Sequence, residues 1–148
     1  MYSNQKLSEA LALLGTIDPA TLANTEVFSD VIDFGACEQA LAILSLGNLA
    51  AETVDFKFYS CDSNGTNAAA VTGKAATQLA AHASNNDNTQ LIMNVRNTDL
   101  LPSGKQYGKF GAVTGGATGG PASLVVLGQL RQGSATDGDL ASVQQIVA

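Results

Sequence analysis

The sequence predicts a mainly β protein: an antiparallel β-sandwich, of the jelly-roll or immunoglobulin-like kind, with a short N-terminal helix or arm. Short apolar runs that alternate with polar residues recur along the chain, and turn residues such as Gly, Asn and Ser separate them. No long helical patterns alternate with these runs, which argues against a parallel α/β sheet. The 148 residues are 45% hydrophobic, which is enough for one domain with one core.

The first segment has the spacing of a short amphipathic helix over residues 5–14, which Gly15 would end. Its apolar residues recur at intervals of three and four: Leu7, Ala10, Leu11 and Leu14. Because a helix of about ten residues is marginal alone in water, its leucine face must dock. This face packs either on the domain or, as an arm, on a neighbouring chain, and we assign residues 1–24 to an N-terminal arm.

Period-two alternation begins near Thr25, and we assign residues 25–133 to the β-sandwich domain. The run at 37–46 is apolar on both faces, which is typical of a central strand. The run at 53–61 alternates between apolar and polar residues, which is typical of a half-buried strand. The predicted strands cover residues 27–35, 37–46, 53–61, 91–96, 109–114 and 122–130.

The segments between and after these strands are predicted from their composition. Asn64-Gly65 indicates a chain reversal after the third strand, because both residues tolerate positive φ. Residues 68–82 are rich in alanine, which favours helix, but Val71-Thr72-Gly73 interrupts it, so we predict a loop with one short helix or strand. Residues 134–148 form a C-terminal tail that is either frayed or a second contact arm.

The charge balance and the hydropathy exclude several partners. The net charge is −6 and the seven cations are spread along the chain, whereas a nucleic-acid binder needs clustered Lys and Arg. No run approaches the roughly 20 apolar residues of a membrane span, and the N-terminus lacks the pattern of a signal peptide. We therefore expect neither nucleic acid nor a membrane as a partner, and synthesis in the cytoplasm.

The sequence contains no pattern with a catalytic spacing. His82, the only histidine, lies in an Ala/Asn-rich stretch without a serine motif beside it. Gly73-Lys74 lacks the flanking residues of a phosphate-binding loop, and Asp30 and Asp33 lack the spacing of a calcium loop. We predict no enzymatic activity, no catalytic residue, no metal site and no cofactor.

The two cysteines leave the redox state open. Cys37 and Cys61 both lie in or beside predicted strands. They either face each other across a sheet or remain free buried thiols.

A glycine-rich segment, Gly115 to Pro121, precedes the last predicted strand. Because it does not open a helix, it lacks the geometry of a dinucleotide-binding loop, and we interpret it as a flexible hairpin or an interface loop. The leucine face and this loop are the two candidate contact surfaces. Their candidate interaction residues are Leu7, Leu11, Leu14, Gly115, Gly116, Gly119 and Gly120.

The order of parts over residues 34–131 resembles that of small structural virion proteins of tailed bacteriophages. The shared features are a lysine-bearing strand, an acidic Asn-Gly turn, a strand with an arginine, a Gly/Thr-rich loop and an apolar strand that ends in a cation. They lie at residues 54–58, 61–65, 91–96, 115–120 and 123–131.

This resemblance implies a virion component, specifically a head decoration (cement) protein that binds the outer capsid lattice and stabilises contacts between coat subunits. The implied partner is the major capsid protein, and the implied state is a homo-oligomer on the capsid surface, a trimer by analogy with the lattice. Two alternatives stay open: a head–tail connector or tail structural protein, and a non-catalytic ligand-binding β-module.

Overall fold

The computed structural model describes residues 7–49, 52–79, 87–116, 118–131 and 143–145. Within these ranges the chain forms one short helix, nine strands and a 3₁₀ helix at Asn97–Ser103. The helix and the first strands are α1 (Leu7–Ala10), β1 (Ala12–Leu22), β2 (Val27–Phe28), β3 (Ile32–Asp33) and β4 (Cys37–Leu46). The later strands are β5 (Thr53–Cys61), β6 (Ala69–Ala75), β7 (Gln90–Arg96), β8 (Tyr107–Gly115) and β9 (Gly120–Leu130).

The strands form two antiparallel sheets. Sheet A has the order β1-β9-β4-β7, and sheet B has the order β2-β8-β5-β6 with the short β3 also paired to β8. The chain passes back and forth between the two sheets, and its first and last strands pair with each other. The predicted antiparallel β-sandwich is therefore confirmed, and its strand order is that of a jelly roll.

The core lies between the sheets and is built on phenylalanines. Phe58 packs on Phe110 with ring centroids 4.9 Å apart, and Phe56 stacks on Phe110 at 5.8 Å. All three rings are fully buried, and each contributes about 1.5–3 kcal/mol by leaving water. Gly108 makes room for this cluster, because a Cβ there would lie 2.2 Å from Phe58 Cζ.

The N-terminal segment differs from the prediction. Within the described part of the helix expected over residues 5–14, only Leu7–Ala10 is helical, and Ala12–Leu22 continues as an edge strand paired with β9. Register shifts after Leu13 and after Ile17 insert extra residues opposite β9. Such bulges break the period of two that identifies a strand, so the leucine spacing imitated a helix.

Other elements match the prediction or refine it. The strands predicted at 37–46 and 53–61 are confirmed as β4 and β5, and the Asn64-Gly65 reversal is confirmed by the 2.8 Å hydrogen bond from Gly65 N–H to Asp62 O. The strand predicted over 27–35 is two short strands, β2 and β3. The ambiguous alanine-rich stretch contains β6, whereas His82 and most of the predicted C-terminal tail lie outside the described residues.

Candidate functional site

The three predicted interaction leucines lie on different elements rather than on one face. Leu7 is 64% exposed on α1, and Leu11 is half-buried between α1 and β1. Leu14 is half-buried in β1 and packs against the core, with its Cδ1 2.3 Å from where a Cβ on Gly128 would lie. Leu14 thus serves the fold, and only Leu7 projects into solvent.

The glycine-rich segment is a hydrogen-bonded crossover. It joins β8 of sheet B to β9 of sheet A, so the hairpin interpretation was wrong. The Asn24 side chain donates from Nδ2 to Gly116 O at 2.7 Å and accepts from Gly116 N–H through Oδ1 at 3.0 Å. At the other end, Gly120 N–H donates to Thr114 Oγ1 at 3.0 Å. Gly119 and Gly120 are buried, so they are not accessible to a partner.

A buried glutamate lies beneath this crossover. Glu52 is only 3% exposed. Its Oε1 accepts the Thr118 N–H at 3.2 Å, while Oε2 has no hydrogen-bond partner among the residues that the structure describes. A Cβ on Gly116 would lie 1.4 Å from that oxygen. The absence of a side chain at Gly116 therefore makes room for the carboxylate, which is a structural use of this glycine. Gly115, the remaining candidate, ends β8.

The two cysteines are both free and buried. Burial raises the pKa of the Cys37 thiol and of the Cys61 thiol. The Cys37 Sγ also donates a hydrogen bond to Gln39 O at 2.9 Å. Because a raised pKa lowers the fraction of reactive thiolate, both side chains are poor nucleophiles.

Neither a metal-binding group nor a membrane-spanning helix is found among the described residues. No group of three or more His, Cys, Asp and Glu side chains within those residues could hold a metal ion. No helix in the same part of the chain is long and apolar enough to cross a membrane.

An open groove of about 590 Å³ lies between β1 and β2 at the side of the sandwich. Two carboxylates, Asp18 and Asp30, line it together with apolar residues such as Phe28. Asp30 is already engaged, because its Oδ2 accepts the Thr16 N–H at 3.0 Å. Among the described residues that line the groove, none is a histidine or a cysteine.

The outer face of sheet B is polar, and its side chains satisfy one another. The Tyr59 hydroxyl donates to Glu26 Oε1 at 2.7 Å, and burial together with this bond raises the pKa of Tyr59 to about 12. The Lys109 ammonium lies 3.9 Å from the centre of the Phe28 ring and donates to Gly65 O at 3.0 Å. Glu26 and Lys109 on this face thus each have a partner within the chain.

The outer face of sheet A is different, because two neighbouring rows of outward side chains are apolar. Side chains alternate between the core and solvent along each strand, so outward residues fall in rows across the sheet. We call six of them the apolar face: Leu13, Leu127 and Leu41 in one row, and Val125, Ile43 and Ile92 in the next. Ile92 is 64% and Val125 41% exposed, and the other four are half-buried.

The surroundings of the apolar face are almost free of charge. On β4, β7 and β9, the outward positions beside it are Glu38, Gln39, Ser45, Gln90, Asn94, Arg96, Pro121, Ser123 and Gln129. Among these described positions only Glu38 and Arg96 are charged, and both lie at the same end of the sheet. This face is the candidate functional site, because a contiguous exposed apolar patch with a polar rim is typical of a protein interaction surface.

The edges of sheet A are blocked at specific points. On β1, the Asp30 carboxylate accepts the Thr16 N–H, and two bulges and Pro19 interrupt the strand. On β7, the Lys74 ammonium donates to Asn94 O at 2.9 Å. Side chains, bulges and prolines on an edge discourage pairing with another strand, so the face, and not the edge, is the surface open to a partner.

No protein-family model matches the chain, and no curated protein matches its sequence. Among solved structures, the chain is similar to a protein of Bacillus endospore appendages, which are described as a novel family of disulfide-linked pili. The two are 14% identical, the match covers 89% of this chain and 96% of that one, and the TM-score is 0.51. The chain is also similar to the SPBc2 prophage-derived protein YomS, at 14% identity over 80% of this chain and 91% of that one, with a TM-score of 0.49. At such identity the endospore-appendage match shows a shared fold.

The sequence contains a signal for the apolar face, but the same signal is also typical of a buried core strand. The run at 37–46 is apolar on both sides, a pattern that predicts a central strand and does not show whether its outer side is covered. Val125 and Ile92 likewise belong to continuous apolar runs in β9 and β7. What the sequence did not contain is the register that places Ile43 between these two residues.

Proposed function

We propose that this protein is a non-catalytic structural component of a multisubunit assembly, specifically a decoration (cement) protein on the capsid of a tailed-phage virion. The observation that carries the proposal is the apolar face of sheet A. A soluble monomer gains nothing from an exposed apolar patch on a regular sheet, whereas an assembly protein buries such a patch against a partner. The sandwich supplies the rigid body that a repeated contact requires.

Two further observations support an assembly role. The segments at 54–65, 91–96 and 115–131 resemble those of structural virion proteins. The endospore-appendage protein that shares the fold belongs to a pilus, so this fold is compatible with a repeated array. Many copies on a symmetric lattice also convert weak single contacts into firm attachment.

A second candidate, a subunit of a pilus-like filament, is favoured by the same fold match. The disulfide linkage named for those pili would need accessible thiols. Cys37 and Cys61 are buried, so a filament of this chain would have to be held by non-covalent contacts. This observation ranks the filament below the decoration protein.

The test is a count of copies in purified particles. We would separate capsids from tails and quantify this chain against the major coat protein by mass spectrometry with labelled peptide standards. A decoration protein is expected in the capsid fraction, in a fixed ratio to the coat protein and at comparable copy number. Enrichment with tails at low copy number would support the connector or tail alternative, and absence from particles would overturn a virion role.

A further inference from the structure

We propose that the apolar face pairs with the same face of a second copy of the chain, sheet against sheet, in a two-fold symmetric dimer. This inference rests on the proposed function, because it names a second copy of the chain as the partner of the apolar face. It makes the dimer the unit that is delivered to the larger assembly.

Charge favours a second copy over an unrelated partner. The chain has a net charge of −6, so two copies repel each other through most of their surfaces. The outward residues of the apolar face and those beside it at 43–45, 90–94 and 123–127 include no carboxylate, and the nearest one on β4, Glu38, lies at the bulged end of the strand beyond Gln39. The copies therefore meet at the apolar face at the least electrostatic cost. A partner recognised by its positive charge would bind the acidic surfaces instead, because this face offers it nothing to pair with.

The whole outer side of sheet A, with the apolar face at its centre and polar residues around it, is large enough for a stable contact. Four strands about 4.8 Å apart and about ten residues long at about 3.3 Å per residue span roughly 19 by 33 Å. Each copy would therefore bury on the order of 630 Å², or about 1,250 Å² for the pair. Specific interfaces begin at about 1,000 Å² in total.

The register also suits a contact between identical faces. Two sheets pack face to face about 10 Å apart with their side chains interdigitated, and a two-fold interface brings residue i against j and j against i. A two-fold axis that runs between β4 and β9 overlays all four strands of both copies. It places Ile43 of one copy opposite Val125 of the other, and Leu41 opposite Leu127.

The test measures the mass of the full chain in solution by sedimentation equilibrium over a range of concentrations. The wild type is expected to reach twice the chain mass of 15.1 kDa. Val125→Glu and Ile92→Glu place a carboxylate on exposed positions, so they leave the monomer folded, but they bury charge in the dimer. Each is expected to raise the dimer Kd by at least about 100-fold, because a buried unpaired charge at an interface costs several kcal/mol.

The matched control is Leu101→Glu, which places the same charge on a large exposed apolar residue of the 3₁₀ helix, 73% exposed and away from sheet A. It should dimerise like the wild type. The register is tested by mixing Val125→Glu with Ile43→Lys, since the two new charges lie opposite each other in the heterodimer and should restore dimers.

A wild type that stays monomeric, or forms trimers, overturns the dimer, and so does a Leu101→Glu variant that dissociates as much as Val125→Glu. None of these outcomes affects the number of copies counted on purified particles, so the proposed function is tested separately. Conversely, if the chain dimerises in solution but is absent from purified particles, the virion role is contradicted and the dimer is not.

Discussion

At the residue scale, the sharpest constraint is at Gly116, where backbone and packing act together. Its φ is +111°, and a Cβ would lie 1.4 Å from the buried Glu52 Oε2. Gly73 also has a positive φ, +78°, but among the described residues no atom beyond its chain neighbours lies within 4 Å of its Cβ position. A Cβ at Gly73 would therefore introduce backbone strain alone, whereas a Cβ at Gly116 would introduce strain and a steric clash.

We expect Gly73→Ala to lower the free energy of unfolding by about 1–2 kcal/mol, which is the cost of left-handed backbone for a residue with a Cβ. Gly116→Ala should cost at least about 2 kcal/mol more, because Glu52 must move and the Thr118 N–H loses its acceptor. Urea unfolding midpoints at equal m-value measure both. Equal costs for the two variants would contradict the packing role of Gly116.

At the element scale, β1 decides whether the N-terminal segment is an arm or part of the sandwich. Ala12–Leu22 pairs along β9 from Gly128 to Gly120, and Leu14 packs against the core. The leucine face therefore splits. Its last member stabilises the fold, and its first, Leu7, stays in solvent.

The matched pair Leu14→Ala and Leu7→Ala tests this division. Leu14→Ala should lower the free energy of unfolding by about 1–2 kcal/mol, since a half-buried leucine loses part of the 1.5–3 kcal/mol of full burial. Leu7→Ala should stay within about 0.5 kcal/mol of the wild type, as expected of an exposed position. Thermal or urea unfolding distinguishes them, and equal effects would support a leucine face that acts as one unit.

The same element shows how far a sequence can predict this fold. β4 and β5 have the predicted bounds, because the period of two holds from Ala40 to Leu46 in β4 and from Thr53 to Ser60 in β5. In β1 the bulges at Leu14 and after Ile17 disrupt the period, and in β6 the alanines favour a helix that pairing with β5 overrides. Strands were thus predictable where local pattern and tertiary pairing agree.

The candidate site was less predictable than the fold for a related reason. Ile92, Ile43 and Val125 are separated by long stretches of sequence, and only the register of three strands places them in one row. An apolar run in one strand has two explanations, a buried outer face or an exposed one. Choosing between them requires knowing what covers the sheet, which is a property of the whole molecule.

At the scale of the whole molecule, two ion pairs connect distant parts of the sandwich. Asp62, in the turn after β5, pairs with Lys105 in the approach to β8. Asp99, in the 3₁₀ helix, lies 2.9 Å from the ammonium of Lys74 on β6. In each pair, the two residues lie in different elements or turns and are 25 or more residues apart along the chain.

These pairs predict how stability changes with pH. Hydrogen bonds from Lys105 and Asn67 lower the pKa of Asp62. Burial raises the pKa of Asp99, but the Arg96 N–H and Lys74 outweigh it, so that pKa is lowered as well. A carboxyl whose pKa is lower in the folded state stabilises the protein above the unfolded pKa of about 3.9, and this contribution is lost as the pH falls through the folded value.

We therefore expect the free energy of unfolding to fall as the pH drops below about 4, with part of that loss removed in Asp99→Asn and in Lys74→Met. Lys57→Met is the matched control, since it removes a half-buried lysine of sheet B and leaves both ion pairs in place. Urea unfolding from pH 7 to pH 2.5 measures all four proteins. If Asp99→Asn loses as much stability with acid as the wild type does, then the acid response comes from other carboxylates and the Lys74 pair does not couple β6 to the 3₁₀ helix.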